Sequence, residues 1–172
     1  MRCIGDLQNF KMINVNPWLK NGGTRKHTTT IVMHATAGRE HPDSSAQNAI
    51  DTLRERGLSY NYIIARDGTV YKGVPLANEA WHAGVSFGPD GSGCNGYSIG
   101  ISFVNLDDGH ELPTVKQTEA ARLLILDLKA AYPSIKHLTT HAIVSPKRKV
   151  DPLGYDIDHL GNLVDLPVWR PH

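Results

Sequence analysis

Two side chains that bind metals well lie near the ends of a short segment, residues 139–152. His141 follows a threonine pair that is typical of a strand end, and Asp151 comes just before a proline, with Lys149 two residues earlier. A neutral imidazole and a carboxylate are both good zinc ligands, and a catalytic zinc site usually has three protein ligands and one position for water. After the threonines the segment is predicted to be irregular and basic. It supplies two of the three ligands that a catalytic zinc site needs, so a third must come from elsewhere in the chain.

The third candidate ligand is His34, which directly follows the apolar run 31–33. Such a run is typical of a buried strand, so the histidine would be held at the edge of the core. A lone histidine in this position is more often a core residue bonded to a backbone carbonyl. Together with His141 and Asp151, however, it forms a set that suits zinc better than calcium or magnesium, which prefer all-oxygen sites. A structural zinc site is usually closed by four cysteine-rich ligands, so this set favours an open, catalytic site.

The elements that must position these residues follow from hydrophobic periodicity and turn residues. Strands are predicted at 29–36, 60–66, 69–71, 97–104 and 138–140, and helices from a cap at 42–44 to Gly57, from Thr114 to Pro133 and over 156–163. Asp67-Gly68 between two β-rich runs signals a hairpin. Thr114 and Gln117 have the spacing of a capping box. The segment 75–96 is predicted to be a loop with short ordered pieces.

Strands and helices alternate along the chain, which predicts an α/β fold of mixed α+β type with a central mixed sheet flanked by helices. An extended arm over residues 1–28 is expected to pack Ile13, Val15 and Trp18 on the core. The length of 172 residues suits one domain, and no linker or repeat divides it.

Composition and charge exclude several classes of protein. The net charge of +1 gives no strong attraction to nucleic acid or to anionic membranes, and no apolar run is long enough for a membrane span. The two cysteines, Cys3 and Cys94, are expected to be free thiols in a reducing compartment. The N-terminus has no apolar stretch of signal-peptide length, so synthesis and retention in the cytoplasm are expected.

A set of motifs in fixed order carries a resemblance to a known family. The motifs are IVMHATAG around His34, SYNYIIARDGTVYKGV, AWHAG, CNGYSIGISF and H-x7-K-x-D-P from His141. In this order they resemble the type 2 N-acetylmuramoyl-L-alanine amidases, which share a fold with peptidoglycan recognition proteins and phage amidase-type lysozymes. The resemblance covers about residues 29–158. It implies one amidase domain over 1–172 without a separate wall-binding domain. It also implies a zinc ion bound by His34, His141 and Asp151. The protein would be a monomer that binds peptidoglycan.

The resemblance also implies roles for four further residues. Tyr60 and Lys149 would be catalytic, with Tyr60 acting on the water or on the oxyanion and Lys149 stabilising the charge on the carbonyl oxygen. His82 and Thr36 would contact substrate, although His82 is also the main rival as a metal ligand or proton carrier. Recycling amidases carry a glutamate in a motif like SIGIE, where this chain has Ser102. The insertion of Leu153 after Asp151-Pro152 is a second departure.

Each of these residues also has an ordinary structural interpretation. Tyr60 is equally consistent with a strand aromatic, and the basic run Lys147-Arg148-Lys149 with a solvated loop. That interpretation is preferred for Lys147 and Arg148. Among the other histidines, His137 is expected in an extended segment and off the metal. The remaining ones are expected at the surface or in a turn; they are His27, His41, His110, His159 and His172.

The function that follows is a zinc-dependent amidase that cleaves the bond between N-acetylmuramic acid and L-alanine. The expected context is a phage or prophage endolysin, made in the host cytoplasm and acting on the cell wall. An intracellular amidase that recycles soluble muropeptides is the closest alternative. A non-catalytic peptidoglycan-recognition module and a structural zinc domain are alternatives of other classes. The complete ligand set disfavours the first, and an aspartate ligand without a nearby cysteine favours a catalytic over a structural site.

Overall fold

A six-stranded mixed sheet forms the centre of the protein in a computed structural model that describes residues 11–16, 19–37 and 46–171. Its strands are β1 (Met12–Asn14), β3 (Thr30–Ala35), β4 (Tyr62–Ile64), β5 (Val70–Lys72), β9 (Ser98–Phe103) and β10 (His137–Thr140). Their order is β1-β5-β4-β9-β3-β10, with β4 and β5 antiparallel and every other pair parallel. Two small two-stranded sheets pair β2 (Asn21–Thr24) with β6 (Asn78–Ala80) and β7 (Phe87–Gly88) with β8 (Gly91–Ser92).

Alternation along the central strands separates an apolar face of the sheet from a face that carries polar groups. Successive side chains of a strand point to opposite faces. On β9, Ile99, Ile101 and Phe103 enter the main hydrophobic core, so Ser98, Gly100 and Ser102 lie on the opposite face. On β3, Ile31 and Met33 join the same core, which leaves Val32 and His34 on the polar-containing face.

Helices cover both faces of the sheet. The helices are α1 (Ala46–Arg56), α2 (Val115–Ala131), α3 (His141–Val144) and α4 (Ile157–Val164). Helices α2 and α4 bury their apolar sides in the main core, whereas α1 packs in a second cluster with Ile63 and Val104. Val144 of α3 packs with Val32 in a third cluster. The predicted fold, a mixed sheet flanked by helices, is thereby confirmed.

The local signals in the sequence correspond closely to the observed elements. Ala46, Ala49, Ile50 and Leu53 form the buried side of α1, and Gly57 follows it with a φ of 63°. Thr114 and Gln117 form the complete capping box of α2. The hairpin at Asp67-Gly68, the strand after Gly96 and the helix α4 are also present, within a residue or two of the expected bounds. The expected cap at 42–44 and the packing of Trp18 fall outside the described residues.

One local prediction was wrong. The chain was expected to become irregular after Thr140, but residues 141–144 form the helical turn α3. The Thr140 side chain accepts a hydrogen bond from the Ile143 amide and caps that turn. Thr140 therefore has two roles, because it is the last residue of strand β10 and the N-cap of helix α3. His141 consequently has a fixed backbone, which a flexible loop would not provide.

The described part of the chain contains no helix that is long and apolar enough to cross a membrane.

Cys94 is a free, buried thiol, as expected, while Cys3 lies outside the described residues. Ile13 and Val15 pack on the core, as the sequence predicted for the N-terminal arm, and β1 adds that arm to the edge of the sheet by pairing with β5.

Removing the α2 cap is expected to destabilise the fold without touching the site. Thr114→Ala deletes the side-chain acceptor for the Gln117 amide, which should cost about 1 kcal/mol of unfolding free energy. Val115→Ala is the matched control, since that neighbouring side chain is 86% exposed and should change little. Urea unfolding measures both, and equal stabilities of the two variants would contradict the role of the cap.

Candidate metal centre and the groove around it

Three side chains from separate parts of the chain converge at one edge of the sheet. β3 and β10 are parallel neighbours with Met33 opposite Thr140, so His34 and His141 leave the two strands side by side. The Nδ1 atom of His34 lies 3.2 Å, and that of His141 3.1 Å, from Oδ2 of Asp151. One ligand atom from each of the three residues lies within 4.8 Å of the other two. All three side chains are buried.

The segment that carries Asp151 is held against both strands. The Ala142 amide donates to the backbone carbonyl of Asp151 at 3.0 Å, and the Ala35 amide points at its Oδ2 atom at 3.4 Å. Further along, the Leu153 amide donates to Oδ1 of Asp107. The inserted Leu153 thus has a defined contact, and Asp151 is held by two backbone amides, that of Ala142 at its backbone carbonyl and that of Ala35 at its carboxylate.

The hydrogen bond on the far side of His141 defines which of its nitrogens is free. Nε2 of His141 lies 3.2 Å from the carbonyl oxygen of Ala83, and a carbonyl can only accept, so Nε2 carries the proton. In a neutral imidazole this leaves a lone pair on Nδ1, directed at Asp151. Two imidazole nitrogens and a carboxylate facing one another form the donor set that zinc takes in catalytic sites. The residues present therefore fit a zinc ion.

Burial and mutual proximity change the pKa values of this cluster. Burial lowers the pKa of His34 to about 4, despite the opposing effect of Asp151. Burial alone would raise the pKa of the Asp151 carboxyl, whereas a proton between that carboxyl and the Nδ1 atoms of His141 or His34 would lower the pKa below its usual range. At neutral pH the site therefore combines a neutral His34 with a charged carboxylate. Both are the protonation states that bind a metal.

A groove with a volume of about 690 Å³ opens over His141 and Asp151, which line it, while His34 is fully buried beside Asp151. Tyr60, Lys149, Thr36 and His82, the four further residues that the sequence singled out, all line it. Its other lining residues include two arginines, Arg56 and Arg148, and the apolar side chains of Leu53, Leu58 and Trp81. Among the described residues that line the groove, Asp151 is the single acidic one, and Arg56, Arg148 and Lys149 are basic.

Tyr60 lies against the first candidate ligand. Its ring centroid is 4.9 Å from that of His34. Burial and the nearby Asp151 carboxylate raise the pKa of the Tyr60 phenol above its ordinary value. The hydroxyl therefore stays protonated at neutral pH and is suited to donate a hydrogen bond. Its role as an acid, a base or an oxyanion donor stays a prediction, and the raised pKa favours the hydrogen-bond donor over the base.

Lys149 and Thr36 lie at two sides of the groove. Lys149 is exposed and follows the turn at 146–148, with its amide donating to the Ser145 carbonyl at 3.1 Å. Thr36 is partly exposed just beyond β3, and its hydroxyl lies 3.4 Å from the Asn105 carbonyl. Both side chains are accessible to a bound molecule. Their catalytic and substrate-binding roles stay predictions.

His82 lies deeper than a substrate contact requires. It is only 6% exposed, with Nδ1 at 2.9 Å from Nε2 of His34 and Nε2 at 3.2 Å from Oγ of Ser98. Both ring nitrogens are therefore occupied by other side chains. This makes His82 a poor proton carrier for substrate, while its predicted contact with substrate stays untested.

Several residues that hold the site were not singled out from the sequence. Oδ1 of Asn95 accepts hydrogen bonds from the amides of His82 and Ala83, and so positions the carbonyl that binds His141. Arg148 was interpreted as part of a solvated loop, but its guanidinium donates to the Val85 carbonyl at 2.9 Å and to Oγ of Ser145. The Arg148 contacts join segments far apart in sequence. The only signal in the sequence was the glycine-rich, polar composition of residues 84–96, which indicates a loop but not its hydrogen-bond partners.

Comparison with known proteins identifies the family. The family model described as N-acetylmuramoyl-L-alanine amidase, Amidase_2, matches residues 24–154. This chain belongs to that family. The matched residues contain His34, His141 and Asp151 as well as the groove, so the family match and the site geometry refer to the same part of the protein.

The relatives of known name come from bacteria, an insect and a phage. The 1,6-anhydro-N-acetylmuramyl-L-alanine amidase AmpD of Enterobacter cloacae is 35% identical over 111 residues, which are 64% of this chain and 58% of the relative. Peptidoglycan-recognition protein 1 of Holotrichia diomphalia is 34% identical over 64% of this chain and 56% of its own. An endolysin of Klebsiella phage KP32 is 30% identical over 72% of this chain and 80% of its own. The match thus spans little more than half the length of the AmpD relative.

Solved structures of the amidase fold agree with this assignment. A selenomethionine AmpD crystal structure superposes with a TM-score of 0.71 at 26% identity, covering 91% of this chain and 95% of the other. The Escherichia coli amidase AmiD, solved in complex with anhydro-N-acetylmuramic acid-L-Ala-D-gamma-Glu-L-Lys, has the same TM-score at 24% identity, over 83% of this chain and 59% of its own. That second likeness establishes the shared fold alone.

The lowered pKa of His34 predicts how the metal-free protein responds to acid. The folded pKa is about 4, against an ordinary value of 6.5, so between these values the unfolded chain binds a proton that the folded chain does not. Stability contributed by the neutral imidazole is therefore fully present above pH 6.5 and is lost as the pH falls towards 4. Thermal unfolding in the presence of a chelator should show this decline, and a His34→Asn variant should show a shallower one. An equally stable metal-free protein at both ends of that range would contradict it.

Proposed function

We propose that this protein is a zinc-dependent N-acetylmuramoyl-L-alanine amidase that hydrolyses the amide bond between N-acetylmuramic acid and L-alanine in peptidoglycan. The observation that carries the proposal is the convergence of His34, His141 and Asp151 beside a groove that His141 and Asp151 line, within a chain of the amidase family. The complete ligand set and the open groove argue against a module that only recognises peptidoglycan. A closed structural zinc site would not place its ligands under a groove of this size.

His34 and His141 would hold the metal through Nδ1, and Asp151 through its carboxylate. A zinc ion bound there supplies Lewis-acid activation of the amide carbonyl and of a water molecule. The chain itself supplies the orientation of the ligands, since backbone carbonyls and amides fix His141 and Asp151 before any substrate arrives. Such preorganisation avoids rearrangement during the reaction.

Tyr60 and Lys149 handle the charge that develops as the amide is cleaved. Water adds to the carbonyl carbon, negative charge accumulates on the carbonyl oxygen, and the C–N bond then breaks with a proton passing to the leaving amine. The Tyr60 hydroxyl, kept protonated by its raised pKa, donates a hydrogen bond to that oxygen. Lys149 lines the groove, and its ammonium adds positive charge near enough to act on His34 of the metal centre. Both groups stabilise the transition state more than the neutral amide.

The groove also suits the substrate that we propose. A peptide stem attached to a muramic acid is polar and carries carboxylates, and Arg56, Arg148 and Lys149 give the groove positive charge. Thr36 at the rim offers a hydroxyl to the substrate backbone, as the sequence predicted. Apolar side chains such as Leu58 and Trp81 provide contact area between these polar groups.

We further propose that the polymeric cell wall is the substrate, as for an endolysin. Ser102 stands beside His34 in the register of β3 and β9, at the position where recycling amidases have a glutamate, and the phage endolysin relative is covered over 80% of its length. A recycling amidase that takes soluble muropeptides is the second candidate. It is favoured by the several AmpD relatives and by the superposition on 95% of an AmpD chain.

Substitutions separate metal binding from charge stabilisation. His141→Ala removes a ligand, so bound zinc and amide hydrolysis should disappear together. Tyr60→Phe and Lys149→Met should retain zinc, while kcat on purified peptidoglycan falls by about 10²–10³-fold for each, the usual cost of one oxyanion donor. Metal analysis and the release of N-terminal alanine measure the two effects.

The matched controls for these variants are Tyr71→Phe on β5 and Lys147→Met in the same basic run. Neither side chain lines the groove, so both variants should keep zinc and activity. Near-normal turnover by Tyr60→Phe, alongside an inactive His141→Ala, would show that the Tyr60 hydroxyl has no part in the reaction. Full activity in a verified metal-free sample would refute the metal centre.

Substrate size decides between the two biological contexts. An endolysin-type enzyme should release peptides from intact sacculi with a higher kcat/KM than from soluble anhydro-muropeptides, because the open groove accepts a continuing glycan strand. The same purified enzyme is assayed on both substrates at one pH and one zinc concentration. Preference for the soluble muropeptide would favour the recycling amidase instead.

A further inference from the structure

A chain of buried hydrogen bonds runs from His34 away from the metal centre. Nε2 of His34 lies 2.9 Å from Nδ1 of His82, and Nε2 of His82 lies 3.2 Å from Oγ of Ser98. Oγ of Ser98 in turn bonds the backbone carbonyl oxygen of Cys94. All four residues are buried, with exposed fractions of at most 6%.

The carbonyl at the end of this chain determines the direction of every bond in it. The Cys94 carbonyl can only accept, so Ser98 uses its one hydrogen there and its oxygen must accept from Nε2–H of His82. A neutral His82 with its proton on Nε2 has a lone pair on Nδ1. That lone pair accepts from Nε2–H of His34, which leaves the Nδ1 lone pair of His34 directed at Asp151.

Strand β9 has a glycine, Gly100, where it contacts the His82 ring. A Cβ atom built on Gly100 would lie 2.6 Å from Cγ of His82, so only glycine allows the imidazole to lie flat against β9. Gly100 is itself fixed, because its amide donates to Oδ1 of Asn61 at 3.0 Å. On the other side, the His82 and Ala83 amides are held by Asn95. The position of His82 is thus set from two sides.

We propose that His82 is a positioning residue for the metal centre, which, with Ser98, fixes the tautomer and ring orientation of His34 so that Nδ1 is presented to the metal. This inference rests on the proposed zinc site and adds a role for residues outside it. The two histidines would then be held alike, since the Ala83 carbonyl fixes Nε2 of His141 as His82 fixes Nε2 of His34. Partners of this kind typically change metal affinity by about 10–100-fold when removed.

Zinc affinity and histidine tautomers test the proposal on the full chain. His82→Phe keeps a ring against Gly100 but removes the acceptor, so the zinc dissociation constant, measured by competition with a chelator, should rise by about 10–100-fold. His82→Asn, whose Oδ1 can still accept from His34, should recover most of that loss. His159→Phe, at an exposed position on α4, is the matched control and should bind zinc like the wild type.

Nitrogen-15 NMR of the metal-free wild type gives a readout that a general packing role would not affect. His34 and His82 should both carry their proton on Nε2, and His34 in the His82→Phe variant should lose that single tautomer. Circular dichroism confirms that each variant is folded; if His82→Phe does not fold, Ser98→Ala takes its place with the same expectation for zinc affinity.

Two results would overturn the role of His82. One is a folded His82→Phe, or its Ser98→Ala substitute, with unchanged zinc affinity, and the other is a wild-type His34 protonated on Nδ1. A wild type that binds no zinc at all would instead refute the proposed function, and the NMR tautomers would still report whether the hydrogen-bond chain exists.

Discussion

The site depends on one electrostatic arrangement, in which two imidazole Nδ1 atoms and a carboxylate face one another in a buried space. A neutral imidazole protonated on Nε2 has only a lone pair to direct at Asp151, so the three groups together attract a cation and repel one another without it. Hydrogen bonds behind the ligands maintain this arrangement, from His141 to the Ala83 carbonyl and from His34 to His82. The lowered pKa of His34 keeps its ring neutral in the pH range where metals bind.

The sheet supplies the geometry that this arrangement needs. Parallel pairing of β3 with β10 places the two histidines at the same edge, and the period of two along β9 leaves a face of small and polar residues beneath them. Gly100 leaves space for the His82 ring, and the Ser98 hydroxyl oxygen accepts a hydrogen bond from Nε2–H of His82. The opposite face of the same strands carries the apolar side chains of Ile31, Met33, Ile99, Ile101 and Phe103, which belong to the same core as the buried sides of α2 and α4. One set of strands therefore forms both the core and the support of the site.

Much of the fold and the candidate ligand set could be predicted because their signals are local. The capping box at Thr114, the hairpin at Asp67-Gly68 and the strand that carries His34 are each signalled within a few residues of sequence. The helical turn at His141 was missed because Thr140 belongs to the strand and to the cap at once. The supporting bonds of Asn95, Ser98 and Arg148 were missed for another reason: each joins segments that only the folded chain brings together. The roles of Tyr60 and Lys149 come from a family resemblance and stay predictions.

The central claim is that His34, His141 and Asp151 form the metal centre through two Nδ1 atoms and one carboxylate. Anomalous diffraction at the zinc edge from crystals of the zinc-loaded protein tests it most directly. We expect one anomalous peak beside the groove, about 2.0–2.2 Å from Nδ1 of both histidines and from the Asp151 carboxylate. A peak elsewhere, or coordination of His34 through Nε2 with His82 displaced, would contradict it.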